Sequence, residues 1–420
     1  MKFILEAKKE LEYDLVELPN GIRVVHKQVS NTKVSHCAVM LDIGSRDEKE
    51  GQQGIAHFWE HMAFKGTKKR KAYHIINRLE SVGGELNAYT TKEKICFYAT
   101  VLDKHLDKSV ELLTDITFNS TFPQSQIAKE RLVILEEMSM YLDDPEDAIA
   151  DQLDSLVFKG HTLGDNILGT KESVSAFDST DFQNFLDQNL DTSRVVFSSL
   201  GSYSMDDLLK SINRYLKEVP VIRKNRERVQ VNGFSPEKIT EHKDITQAHV
   251  ALGSRAFDTH SDQRIPFFVL NNILGGQSMT SKLNLSLREK HGMVYHAESN
   301  FMSFSDTGMF ALFYATEPKK VKKSLDIVHK EFERLKNEAL GVKQLQMAKE
   351  QIKGQLAIAE ENNQHYMLMM AKSILNFGKI EPLESIFSKI DHVTAEKLQD
   401  LAKEMLNMEN MSQLIYIPNK

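Results

Sequence analysis

The apolar and polar positions of the chain follow patterns that predict a mixture of strands and helices. Short apolar or alternating runs predict strands at 34–43, 85–91, 95–101 and 195–200, preceded by a hairpin over 14–28. Apolar residues at helical spacing predict helices at about 54–66, 72–82, 104–119, 124–141 and from there to Phe158. This mixture predicts an α+β fold, in which helices pack on sheets rich in antiparallel pairs.

The second half of the chain repeats the pattern of the first half. The tetrapeptide FYAT at 97–100 returns at 313–316, an offset of 216 residues. A Lys-Ser pair that opens a predicted helix, at 108–109, returns at nearly the same offset, at 323–324. A strand followed by a helix, matched at half the chain length, indicates an internal duplication.

The length of 420 residues suits two domains of about 200 residues each. We predict two homologous α/β-sandwich-like domains, at 1–220 and 241–420. The linker between them, at 221–240, contains Pro236 and a run of charged residues at 223–228. That charged run is expected to be solvated.

One pentapeptide in the predicted helix at 54–66 carries candidate chemistry. His57 and His61 are four residues apart and therefore share a helix face, with Glu60 beside them. Two imidazoles at this spacing can bind one Zn²⁺, and the glutamate can take a proton from water, as in zinc-peptidase motifs of the opposite order. The alternative is an amphipathic helix in which two of the chain's 15 histidines fall at this spacing by chance.

A catalytic zinc needs a third protein ligand and an open position. The predicted helix at 124–141 carries Glu130, Glu136 and Glu137. Glu130 and Glu137 are two helical turns apart and share a face. We assign Glu137 to the metal and Glu130 to a supporting position that orients a histidine or water. The alternative is that all three carboxylates face solvent.

The second half of the chain lacks this chemistry. At the offset of 216, the positions that correspond to the two histidines and the glutamate of the pentapeptide are Ile273, Gln277 and Gly276. The second domain is therefore predicted to repeat the shape of the first without its metal-binding side chains.

Composition and charge exclude several classes of function. The net charge of −6, without a sustained basic face, argues against nucleic-acid binding, and no run approaches the ~18 apolar residues of a membrane span. The two cysteines, Cys37 and Cys96, form no CxxC pair, which favours a reducing compartment. The apolar run within residues 1–8 is too short for a secretory signal. We therefore expect a cytoplasmic protein without nucleic-acid or membrane partners.

Further motifs follow one another along nearly the whole chain. In the first half they are LPNG (18–21), GSRDE (44–48), GIAHFWEHMAFKGT (54–67), GGELNAYT (83–90), the Glu-Arg to Glu-Glu segment (130–137), and LG with ILGT (163–170). In the second half they are QAHV (247–250), LGG (274–276) and REKHGMVY (288–295). In this order they resemble the inverted-zincin metallopeptidases of the pitrilysin group, in the branch of the mitochondrial processing peptidase and its small bacterial relatives.

The resemblance implies a role for each matching residue. It implies that His57, His61 and Glu137 bind the zinc, that Glu60 is the general base, and that Glu130 is an accessory glutamate of the site.

The resemblance also implies substrate contacts. Asn87 and Ala88 match an edge strand to which peptide backbone adds as a further strand. Arg288 and Tyr295 match residues that reach the substrate near the zinc in relatives. Judged without the resemblance, Arg288 would be a surface ion-pair residue and Tyr295 a core ring.

Three positions depart from the family's pattern. Trp59 stands where relatives usually have Leu, and because it lies beside the ligands in sequence we expect it to narrow the site. Ile95 and Phe97 stand where a Thr and a Tyr are common. These departures bear on substrate preference and not on the metal.

These inferences predict a zinc metalloendopeptidase with one Zn²⁺ per chain that cleaves short or unfolded peptides. A site divided between two domains implies half of a clam-shaped chamber, which relatives complete with a second chain, as a homodimer or as a heterodimer with a homologous subunit. The alternatives are a subunit active only with such a partner and a non-catalytic peptide-binding scaffold. A structural zinc site fits poorly, because such sites are closed and usually Cys-rich.

Overall fold

The computed structural model describes residues 13–419, so the N-terminal segment discussed above lies outside the described residues. The strands are β1 Asp14–Glu17, β2 Arg23–Gln28, β3 Val34–Leu41, β4 Glu85–Thr90, β5 Ile95–Leu102, β6 Val195–Gly201, β7 Lys238–Lys243, β8 Ala248–Ala256, β9 Ala297–Ser303, β10 Gly308–Thr316 and β11 Ser412–Pro418. The α-helices are α1 Ile55–Ala63, α2 Ala72–Glu80, α3 Leu106–Phe118, α4 Gln124–Asp143, α5 Pro145–Val157, α6 Lys171–Ala176, α7 Ser179–Asn189, α8 Met205–Tyr215, α9 Arg264–Gly275, α10 Val321–Asn337, α11 Val342–Glu360, α12 Asn363–Phe377, α13 Leu383–Asp391 and α14 Ala395–Met405. None of the helices in this part of the chain has the length and apolar character needed to cross a lipid bilayer.

The strands form two sheets that confirm the predicted α+β fold. The first sheet has the order β1-β2-β6-β3-β5-β4, and the second has the order β7-β11-β8-β10-β9. The hairpin predicted over 14–28 is the antiparallel pair β1 and β2, and the strands predicted at 85–91 and 95–101 are the antiparallel pair β4 and β5. Strands β3 and β6 are almost wholly buried, because they lie in the middle of the sheet with both faces covered.

The topology of the sheets confirms the duplication. Without β1, the first sheet matches the second strand for strand, including one parallel pair, β2 with β6 and β7 with β11. The repeated tetrapeptides occupy equivalent strands, β5 and β10. Helix α9 follows the second strand of its repeat as α1 follows β3, and its sequence, RIPFFVLNNILG, contains no His, Cys, Asp or Glu.

The two compact units of the fold differ from the contiguous domains 1–220 and 241–420. The first unit extends to Met138 and adds Asp165–Arg228 and Ala359–Pro382, and the second unit comprises Ser139–Gly164, Val229–Ile358 and the chain from Leu383. Helix α5 thus belongs to the second unit although it comes from the first half of the sequence. Helix α12 belongs to the first unit although it comes from the second half.

Each sheet of the fold is covered on both faces. In the first unit, α1, α3, α7 and α8 bury one face of the sheet, and α12 packs on the other face through Met367, Met370 and Ile374. In the second unit, α9, α10 and α14 bury one face, and α5 packs on β8 and β11.

The charged run at 223–228 is only partly solvated, because Arg223 and Glu227 are exposed whereas Arg226 and Arg228 are not. The side chains of Arg226 and Arg228 are 9% and 13% exposed, and both pair with Asp42 and Asp47 at 2.9–3.1 Å. A buried guanidinium group without such partners would be strongly destabilising. The first part of the predicted linker is therefore fixed to the first unit.

Candidate metal centre

Helix α1 presents two imidazoles on one face. His57 and His61 lie one turn apart, and their ring centroids are 4.6 Å from each other. The residues between them that face the other way, Phe58 and Trp59, are buried in the core of the first unit. The amphipathic character of α1 therefore fixes the direction of both histidines.

Helix α4 brings a carboxylate to the same point. Glu137 Oε1 lies 3.7 Å from Nε2 of His57, and Glu137 Oε2 lies 3.5 Å from Nε2 of His61. Ligand atoms on one tetrahedral zinc are roughly 3.3 Å apart, given bond lengths of about 2.0–2.1 Å. Glu136 is exposed, so it takes no part.

The three donors form a group that suits a metal ion. Within residues 13–419 they are the single set of three or more His, Cys, Asp or Glu side chains close enough to hold one, with all ligand atoms within 4.8 Å. Two imidazole nitrogens and a carboxylate oxygen are the donor set of catalytic zinc sites, which leave a fourth position open. The residues present therefore fit zinc.

His57 is held in the neutral form that a ligand requires. Burial, helped by the neighbouring charge of His61, lowers the pKa of His57 to about 3. Its Nδ1 is buried without a hydrogen-bond partner among residues 13–419. The nitrogen directed at Glu137 is Nε2.

Glu130 supports the second histidine. Its Oε1 lies 3.0 Å from Nδ1 of His61, and Lys65 pairs with its other oxygen at 2.6 Å. Burial acts to raise the pKa of Glu130, but the hydrogen bonds from His61 and Lys65 outweigh it and lower the pKa below its ordinary value. An ionised Glu130 accepts a hydrogen bond from the Nδ1–H of His61, and this leaves the lone pair of Nε2 free for a metal.

Glu60 receives a hydrogen bond that sequence reasoning missed. Thr90, the last residue of β4, donates from Oγ1 to Glu60 Oε2 at 2.6 Å. Burial raises the pKa of Glu60, the charge of Glu137 raises it as well, and Thr90 and His61 act against this shift. The sequence offered one signal for Thr90, which is the last residue of the GGELNAYT motif.

The expectation that Trp59 narrows the site is wrong. Trp59 is 0% exposed, and its ring packs edge-on against Phe97 and Phe185 in the core. Ile95 and Phe97 are also fully buried. The three departures from the family's pattern are therefore core residues, and two of them contact each other.

Strand β4 lies at the edge of the first sheet. It pairs with β5 on one side, and no other strand of residues 13–419 pairs with its second side. Asn87 is exposed, whereas Ala88 packs against the core. An unpaired strand edge offers backbone donors and acceptors to another chain.

Arg288 and Tyr295 lie next to each other in the second unit. The Arg288 guanidinium is 5.4 Å from the centroid of the Tyr295 ring, a cation–π distance. Tyr295 is 87% exposed and is therefore not a core ring. Arg288 also has an exposed partner, Glu289, at 3.5 Å. Their contact with substrate stays a prediction.

Comparison with known proteins identifies the family. Residues 23–171 match the family model for insulinase (peptidase family M16), and residues 176–352 match the model for the peptidase M16 inactive domain. An uncharacterized zinc protease of Bacillus subtilis, YmxG, is 32% identical over 396 residues, which cover 94% of this chain and 96% of the relative. The chain belongs to peptidase family M16.

Other relatives agree with this assignment to M16. An uncharacterized zinc protease of Mycobacterium leprae, ML0855, is 32% identical over 93% of the chain and 88% of its own length. The crystal structure of a protease from Helicobacter pylori superposes with a TM-score of 0.88 at 20% identity, covering 97% of this chain and 99% of that one. A peptidase M16 inactive domain from Pseudomonas fluorescens gives 0.89 at 18% identity, covering 98% and 99%. These two structures show the M16 fold, and the sequence relatives place the chain in the small bacterial branch of the family.

Proposed function

We propose that this M16 chain is a zinc metalloendopeptidase that binds one Zn²⁺ and cleaves short or unfolded peptides. The observation that carries the proposal is the convergence of His57, His61 and Glu137 on one point, with the carboxylate of Glu60 near them. The names of the bacterial relatives, zinc proteases, support it.

The residues around the metal position have distinct tasks. Zinc held by His57, His61 and Glu137 would supply a Lewis acid that polarises the scissile carbonyl and makes water more acidic. Glu60 accepts a proton from the attacking water and donates it to the leaving amine. Thr90 binds Oε2 of Glu60, so that the other carboxylate oxygen is available to the water.

The free edge of β4 is our proposed substrate strand. A peptide that pairs there uses its backbone for affinity, which suits extended and unfolded chains better than folded ones. We further propose that Arg288 and Tyr295 contact the substrate, since an exposed aromatic ring beside a guanidinium group offers both apolar and charged contacts.

The decisive experiment is cleavage of a mixed pool of quenched peptides of about 10–30 residues, with chelator and with zinc added back. The Glu60→Gln variant should keep its zinc and lose cleavage, and Glu136→Gln, an exposed change on α4, should behave as wild type. Cleavage that persists in Glu60→Gln would exclude Glu60 as the base. Zinc binding without cleavage by the wild type would favour the alternative of a partner-dependent subunit or a peptide-binding scaffold.

We also propose that the chain works as a dimer, either with itself or with a homologous subunit, and in the cytoplasm. The two cysteines are free and buried, which suits a reducing compartment. Sedimentation of the purified chain, alone and mixed with a homologous chain from the same cell, tests the assembly, and cell fractionation tests the location.

A further inference from the structure

The start of α1 is closed by a carboxylate from outside the helix. Glu48, only 4% exposed, accepts the Gly54 N–H on Oε2 at 3.0 Å and the Ala56 N–H on Oε1 at 2.9 Å. The first N–H groups of a helix have no partner within it. Glu48 therefore acts as the cap of the helix that carries both histidines.

The local backbone excludes an ordinary cap. The N-cap position is Gly54, with φ +93, and a Cβ there would lie 2.5 Å from the carbonyl oxygen of Leu168. The usual capping side chains, Ser, Thr, Asp and Asn, cannot be accommodated at such a position. The capping group has to come from elsewhere in the chain, and Glu48 supplies it.

The capped turn contains a ligand of the metal centre. His57 is the third residue of α1 and directly follows Ala56, whose N–H is bonded to Glu48. Gln53, the residue before the N-cap position Gly54, is also held, because Ser173 Oγ donates a hydrogen bond to its carbonyl oxygen at 2.6 Å. The backbone from which His57 projects is thus held on one side by the buried carboxylate of Glu48 and on the other by Ser173.

We propose that Glu48 is a positioning residue of the metal centre, whose two hydrogen bonds fix the first turn of α1 and with it the direction of His57 Nε2. The inference rests on the proposed function, since it takes zinc to be the ion bound. A small rotation of the first turn would move the His57 nitrogen away from His61 and Glu137, and metal sites depend on such supporting contacts.

Zinc affinity tests this role without reference to activity. The full chain is prepared free of metal as wild type, Glu48→Gln, Glu48→Asp and Glu50→Gln, the last being an exposed control two residues away. Zinc dissociation constants come from competition with a chromophoric chelator, and thermal melting of the metal-free proteins reports folding. The visible spectrum of the cobalt-substituted proteins reports ligand geometry.

Glu48→Gln should weaken zinc binding by about 10- to 100-fold, the usual effect of losing a contact that supports a ligand. The side-chain amide of the glutamine variant has one acceptor oxygen in place of two. Its NH₂ group would face a backbone N–H, so one of the two hydrogen bonds to the start of α1 would be lost. Glu48→Asp is too short to reach both N–H groups and should weaken binding similarly, with an altered cobalt spectrum in both. Glu50→Gln should match the wild type.

Other outcomes overturn the proposal. A Glu48 variant that melts at a lower temperature but binds zinc as tightly as wild type would make Glu48 a stabiliser of the fold and nothing more. The same conclusion follows if both variants stay unfolded even with zinc. Wild-type protein that binds no zinc would contradict the proposed function itself, whereas wild-type protein that binds zinc but cleaves nothing would leave the test of Glu48 intact.

Discussion

At the scale of single residues, the hydrogen bond from Thr90 to Glu60 leads to the first prediction. A hydrogen bond to a charged group contributes roughly 1.5–3 kcal/mol. Thr90→Val keeps the shape of the side chain but leaves Oε2 of Glu60 without its donor, so kcat/KM should fall about 10- to 100-fold. Peptide cleavage and zinc content are measured together, and zinc content should not change. Thr90→Ser should restore most of the activity; a Thr90→Val enzyme as fast as wild type would remove Thr90 from the mechanism.

The second prediction at this scale concerns Glu130. Glu130→Ala removes the acceptor of the His61 Nδ1 proton and leaves Lys65 without its partner. The affinity for zinc should fall by about 10- to 100-fold, because His61 loses its fixed tautomer and orientation. Chelator competition measures the change, and Glu136→Ala is the matched control on the exposed face of α4. Equal affinities in the two variants would make Glu130 structural only.

The sequence revealed those residues of the metal centre that are related by spacing within one helix. Helical spacing groups His57, Glu60 and His61, and it places Glu130 and Glu137 on one face, but the choice of Glu137 as the ligand rested on the resemblance to the family. Thr90 was missed because it reaches Glu60 from a strand 30 residues later, and a contact between elements leaves no spacing to detect. Trp59 was misjudged because neighbours in sequence on a helix point in different directions, about 100° apart.

At the scale of elements, the charged run at 223–228 shows that charge alone does not predict whether a segment is exposed. A charged stretch between domains is usually solvated, yet Arg226 and Arg228 pair with Asp42 and Asp47. These carboxylates flank the Gly-Ser-Arg turn that precedes α1. Composition could not reveal the pairing, because the partners are some 180 residues earlier in the chain.

The third prediction follows from the pKa of Asp42. Burial acts to raise this pKa, but Arg228 and Arg226 outweigh it, so the pKa in the folded protein lies below its ordinary value of 3.8. A carboxyl group whose pKa is lower in the folded protein stabilises the fold at pH values above its ordinary pKa. This stabilisation is lost as the pH falls through the pKa of the folded protein. Asp42→Asn should therefore lower the melting temperature at pH 6–8, and the gap to wild type should narrow below about pH 4. Asp262→Asn, at an exposed site, is the control.

The contradicting result for Asp42 is a gap in melting temperature that stays constant down to pH 3. Such a gap would mean that Asp42→Asn acts through its packing or hydrogen bonds and not through the charge of the carboxylate.

At the scale of the whole molecule, the duplication was predictable but the exchange of helices was not. A repeated strand and helix leave a trace in the sequence, as FYAT did in β5 and β10. The apolar stripe of α12 shows only that its face must be covered, and nothing in that pattern says which of two similar sheets covers it. The two compact units therefore depart from the contiguous boundaries at α5 and α12.

The last prediction tests the consequence of that exchange. A fragment of residues 1–228 contains the whole metal centre and the first sheet but lacks α12, so the sheet face lined by Val25, Met40 and Val196 would be open to water. Burial of Met367, Met370 and Ile374 contributes roughly 1.5–3 kcal/mol each, and their sum approaches the 5–15 kcal/mol that stabilises a typical domain. The fragment alone should bind the dye ANS, melt without cooperativity and bind zinc poorly.

Fusion of residues 359–382 to the fragment through a flexible linker should restore cooperative melting and zinc binding. A fusion in which Met367, Met370 and Ile374 are replaced by Ser should not. A bare fragment that melts cooperatively and binds zinc as tightly as the full chain would show that the first half folds on its own and that α12 is an addition to a finished domain.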